Sequence, residues 1–179
     1  LEKYLTRTVS GFGDIIRQVR WQEVQSALLP GEAAIEFVHF NYYNPEPTDS
    51  VLYAALLLKP GMQHPVFIPL CEEKQLRALL PAADDKLNND QVNELYSNQE
   101  LYRLLWSPLE SHLSGVRKVY HSPSGLLHRL NLSALPASSK TVLSDRYDMV
   151  MLGSTRQLAL SNQDVRSSEA PAALLYGGI

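Results

Sequence analysis

The sequence predicts an α/β fold, with an antiparallel strand set over residues 33–69 followed by parallel core strands over 117–176. The first observation is that the runs AAIEFVHF, VLYAALLL and PVFIPL are joined by short connections, which favour antiparallel neighbours. A second set of apolar runs, at 116–120, 147–152 and 172–176, is separated by the long spacers 121–146 and 153–171. Continuous hydrophobic runs at that spacing suit buried parallel strands, because a parallel crossover needs a dozen residues or more.

The elements follow in order. Leu1, Leu5, Val9, Phe12, Ile16 and Val19 recur at three- and four-residue steps and predict an amphipathic helix over 1–18. Gly11 and Gly13 weaken it, each by up to about 1 kcal/mol relative to alanine. Trp21, Val24 and Leu28 share the face of a second, shorter helix that Pro30-Gly31 stops. Strands are predicted near 33–40, 51–58 and 65–69, with NYYNPEPTDS (41–50) as the first connection. Leu76, Leu79 and Leu80 mark a helix from about Glu72, and PAADDKLNNDQVNE (81–94) reads as a polar, exposed, mobile excursion.

Ser97 and Glu100 fit a capping box at the start of a helix over 98–112, whose apolar face is Leu101, Leu104, Leu105 and Leu109. Ser107-Pro108 repeats the start signal inside it, so that helix either kinks at Pro108 or breaks and restarts. The remaining strands are predicted near 117–120, 148–152 and 172–176, with a short helix at 155–160.

Bulk properties exclude several classes of function. The 179 residues are 45% hydrophobic and 20% charged, ordinary for a globular protein, and the net charge is −3. No basic stripe exists to track phosphates, so direct nucleic-acid binding is not expected. The apolar run 51–58 is too short for a bilayer. A single cysteine rules out an internal disulfide and a multi-cysteine metal site, and it suits a reducing, cytoplasmic setting. A helical stripe already running at Leu1 and an apolar run just before Gly178-Ile179 predict a portion of a longer polypeptide.

The candidate chemistry is thin. Cys71 stands after a strand at an expected helix start, which would favour a thiolate, but Glu72 and Glu73 beside it oppose that charge. His39, His64, His112, His121 and His128 show no metal-ligand spacing, and no metal or other cofactor is expected. Ser122-Pro123-Ser124-Gly125 suits a type I turn. After it Leu126, His128, Leu130 and Leu132 lie at period two, which as a strand would point His128 inward. A triad of Ser122 or Ser124, His128 and Asp145 can be drawn, but no nucleophile-elbow motif supports it. The GFG and YGG pieces are too short to be phosphate loops.

The stretches WQEVQSALLPGEAAIEFVHF, ELYRLLWSPLESHLSGVRKVYHSPSGLLHRLNLSALP and YDMVMLGSTRQL together resemble the first half of a CHAT domain. The most specific piece is Pro123-Ser124-Gly125 with Leu127, Leu130, Leu132 and Ala134-Leu135. Resemblance to this family implies a partial caspase-like three-layer sandwich over 21–179, entered by a linker helix at 1–20 from upstream helical repeats. It also implies cysteine peptidase chemistry on a protein or peptide substrate.

The family's catalytic His and Cys lie in an H-x-x-x-H-G type motif and an S-A-C-x-x-G type motif, and neither occurs in these residues. The resemblance therefore implies no catalytic residue here, only scaffold and part of a substrate groove, with Ser122, Gly125, His128 and Arg129 as substrate-binding candidates. A downstream catalytic half is the implied partner; the rival reading is a non-catalytic pseudo-peptidase that binds a protein.

Overall fold

The computed structural model describes residues 18–82, 88–138 and 140–164. The helix predicted over 1–18, but for residue 18, and the strand predicted near 172–176 lie outside them. Helix α1 (Trp21–Ala27) leads into β1 (Glu32–Asn44), β2 (Glu46–Leu58) and β3 (Val66–Glu72). Helices α2 (Glu73–Leu79), α3 (Asn89–Ser97), α4 (Gln99–Leu105) and α5 (Ser107–Glu110) follow. After them come β4 (Lys118–Ser122), 3-10 turns at Gly125–Arg129 and Leu132–Ala134, α6 (Leu143–Arg146), β5 (Asp148–Met151) and α7 (Gln157–Asp164).

The described strands form one mixed sheet in the order β3-β2-β1-β4-β5. β1, β2 and β3 are antiparallel neighbours, whereas β4 runs parallel to β1 and β5 parallel to β4. This is the predicted switch from hairpin to crossover connections, and it places β1 at the junction of the two halves. Alternation along the strands then sorts the side chains. Ala33, Ile35, Phe37, Tyr53, Ala55, Leu57 and Val119 enter a core with Leu76, Leu101, Leu105 and Leu109 of α2, α4 and α5 and with Trp106 between α4 and α5. On the opposite face Ala34 and Leu58 meet Val24 of α1, Leu28 just after it and Ala159 of α7. Helices on both faces make the layered sandwich, each fully buried leucine contributing about 2 kcal/mol.

Four local expectations are corrected. The stretch 41–50 is not a plain connection: β1 and β2 pair out to Asn44↔Glu46, with a register shift between Asn41 and Tyr43. Its polar residues resemble a loop because both faces of this part of the ribbon are exposed. The excursion 81–94 contains most of α3, started by Asn88, whose Oδ1 accepts from the Gln91 N–H at 2.9 Å; residues 83–87 lie outside the described residues. Ser97 does not cap α4. It still belongs to the last turn of α3 and donates back to the Glu94 carbonyl at 2.9 Å, leaving Asn98 to accept from the Glu100 N–H at 2.8 Å. At Pro108 the helix breaks: α4 closes with Trp106 N–H on the Tyr102 carbonyl, and α5 restarts with Leu109 N–H on the Trp106 carbonyl.

The fourth correction matters most for the site. Residues after Gly125 form two 3-10 turns, not a period-two strand, so Leu127, Leu130 and Leu132 are buried while His128 is exposed. No described helix is long and apolar enough to cross a membrane.

Candidate functional site

In an open sheet with parallel strands, the crevice lies beyond the carboxyl ends of those strands, where loops leave in different directions. Here those ends are the outer part of β1, the 123–126 loop after β4 and the 152–156 loop after β5. Residues far apart in sequence meet there. His39 Nδ1 and Ser124 Oγ share a hydrogen bond of 2.6 Å whose donor depends on the imidazole tautomer. The His39 ring stacks on the buried Tyr53 ring at 5.5 Å and 20°. Tyr53 OH accepts the Leu126 N–H at 2.8 Å and donates to Glu73 at 3.3 Å. Burial raises the Tyr53 hydroxyl pKa, the Leu126 bond opposes that shift, and the Glu73 carboxylate adds to it. A neutral phenol thus ties β2, α2 and the β4 loop together.

Gly125 is required at this junction. Its φ is +54°, and a Cβ there would stand 2.3 Å from Tyr53 Oη and 3.2 Å from His39 Nδ1. Across the sheet, the Glu36 carboxylate accepts both the Thr155 N–H at 2.8 Å and its hydroxyl at 2.5 Å, fixing the β5 loop to β1. Beside that contact is a largely apolar cleft of about 440 Å³ lined by Trp21, Val24, Ala34, Leu56 and Leu58.

The four sequence candidates take different places. Ser122 is the last residue of β4, buried, with its hydroxyl on the Gly153 carbonyl at 3.2 Å. Gly125 packs on Tyr53 as described. His128 is exposed on the first 3-10 turn. Arg129 donates to the carbonyls of Pro81 and Ala82 at 2.7 and 3.0 Å, clasping the exit of α2. The drawn triad does not assemble: Ser124 meets His39, not His128, and the Asp145 carboxylate accepts the Val142 N–H at the start of α6.

Two further groups bear on chemistry. Cys71 lies in β3, not at the corner after it, and is buried; burial alone pushes its thiol up to about 11, so the expected influence of Glu72 and Glu73 is not the cause. His121 is 3% exposed, its Nδ1 lacks a hydrogen-bond partner among the described residues, and burial lowers it to about 4. His39 and Tyr53 are the residues that sequence reasoning missed. The available signal was His39 at an odd β1 position, in phase with Ala33, Ile35 and Phe37, on the face that the β4 loop crosses.

The family model of the CHAT domain matches residues 96–178. The match spans α4 to α7 and includes Pro123 to Leu135, the most specific piece of the sequence resemblance, whereas residues 21–40, which also carry that resemblance, lie outside it. No curated protein and no solved structure matches the chain.

Proposed function

We propose that this chain is the amino-terminal portion of a CHAT-type, caspase-like cysteine peptidase, in which 21–179 supplies scaffold and one wall of the substrate groove. The observation that carries the reading is the convergence of His39, Ser124, Gly125 and Thr155 at the carboxyl ends of β1, β4 and β5, with the family match lying over β4 and β5. In this reading the catalytic His and Cys belong to following sequence, and residues 1–20 link to upstream helical repeats of a bacterial, cytoplasmic protein. Ser122, Gly125, His128 and Arg129 serve the groove in two ways. Ser122 and Gly125 shape its floor through Gly153 and Tyr53, and His128 and Arg129 border it.

Cys71 is not the nucleophile. With a thiol pKa of about 11 it is protonated at neutral pH, and its side chain is in the core rather than the crevice. The test is a broad peptide-cleavage screen on this chain and on the same chain extended by its natural downstream sequence. The extended protein is expected to cleave and the 179 residues alone to be inert. In the extended protein Cys71→Ser should keep its rate within about a factor of two, the change being one of packing. Turnover by the short chain that disappears in Cys71→Ser would overturn the reading.

A further inference from the structure

β1 has two neighbours only along its first half. Its last pairing with β4 is Glu36↔Ser122, and no described strand takes the β4 side beyond that point. Pairing with β2 nevertheless continues to Asn44. Residues 39–49 are all exposed, including Phe40, Tyr42 and Tyr43 at 40%, 41% and 60%. The result is a two-stranded arm whose β1 edge runs on from where β4 stops. The 123–126 loop sits on the first face through Ser124 and His39, and the 152–156 loop on the second through Thr155 and Glu36. The two loops flank this edge on either face.

The two edges of the arm differ. The β2 side carries Pro45 and Pro47 around its start, which remove donors, whereas FVHFNYYN (37–44) contains no proline. Charge is one-sided as well. Residues 32–58 contain no lysine or arginine, and the arm bears Glu46 and Asp49. Two arms of like charge repel, which disfavours a second copy, and the same charge attracts a basic chain.

We infer that the open β1 edge at 37–44 binds an extended, lysine- or arginine-bearing polypeptide segment by strand addition. Main-chain hydrogen bonds to β1 supply the pairing, while Glu46, Asp49 and the faces of Tyr42 and Tyr43 select cationic side chains. This rests on reading the carboxyl-end crevice as a substrate groove, and cleavage by the extended protein tests that reading separately.

The experiment is amide hydrogen exchange and binding on the 179-residue chain with four end-blocked probes: a valine/threonine peptide flanked by lysines, its glutamate-flanked counterpart, and two versions of the lysine peptide N-methylated at alternate residues, one in each phase. The lysine probe is expected to slow exchange within 37–44, to bind about tenfold more tightly than the glutamate probe, and to lose binding on N-methylation in one of the two phases. Glu46→Lys with Asp49→Lys, both exposed, should abolish the charge preference without unfolding the chain. Protection confined to 122–129 would overturn strand addition while leaving the groove in place. Equal affinity for the two charged probes, or no binding of either, would overturn the inference, as would protection of 37–44 that appears with protein concentration in the absence of peptide.

Discussion

The two halves of β1 have the same local conformation and opposite surroundings. From Ala34 to Glu36 the strand pairs with β2 on one side and β4 on the other, and Ala33, Ala34, Ile35 and Phe37 are 0–2% exposed. From His39 to Asn44 it has, among the described strands, β2 alone, and every residue is exposed. The inner half is held by burial and the outer half by cross-strand hydrogen bonds, so removing side chains should separate them. Ile35→Ala should destabilise the fold by about 4 kcal/mol, since it deletes wholly buried methylenes and leaves a cavity. A urea titration showing a loss like that of an exposed position would erase the distinction.

Acid should act on the inner half next. His121 pairs with Ile35 in the β1–β4 ladder and is buried neutral, with its pKa lowered to about 4. Below about pH 6.5 the unfolded chain takes up a proton that the folded chain refuses until about pH 4, so stability falls across that window as pH drops. The loss approaches about 3 kcal/mol at the acid end. Urea midpoints at pH 7 and 4.5, compared with those of His121→Gln, isolate this contribution; equal pH sensitivity in the two proteins would remove it.

The junction between the halves comes third. Gly125→Ala should cost about 2 kcal/mol, because the new Cβ meets Tyr53 Oη at 2.3 Å and φ is +54°. Gly61→Ala, with φ +78° and nothing within 4 Å, should cost about 1 kcal/mol from backbone strain alone. Loss of protection at the Leu126 amide should accompany the first and not the second. The smallest effect belongs to the outer half: Phe40→Ala should change stability by less than about 1 kcal/mol, since its ring is 40% exposed and its aromatic neighbour, Phe67 of β3, stands 6.4 Å away between ring centres.

Legibility followed the same division. Hydrophobic alternation revealed the inner strand, and the apolar runs revealed β2, β3 and β4, because burial leaves its mark on composition; the run at β5 revealed a strand too, but one expected to be buried that is half-buried or exposed along its length. The outer ribbon left no such mark: Asn41, Asn44 and Asp49 look like turn residues wherever both faces meet water. Among the site residues, Ser122, Gly125, His128 and Arg129 were drawn from one contiguous motif. The motif could not reveal that His39 and Tyr53 complete the junction, since the Ser124–His39 bond spans 85 positions and the Leu126–Tyr53 bond 73.

By itself, then, the sequence determined the α/β class, the change from antiparallel to parallel pairing, an interruption of the helix at Pro108 and the resemblance to the CHAT family. Each is written in local composition, spacing or a short motif. Tertiary structure alone decided that Ser124 meets His39 rather than His128, that Cys71 lies within β3 rather than at the corner after it, and that β1 outruns β4 and leaves an edge open among the described strands. Those outcomes depend on which strand lies beside which and where pairing stops, and both are set by packing between segments that carry no signal of one another.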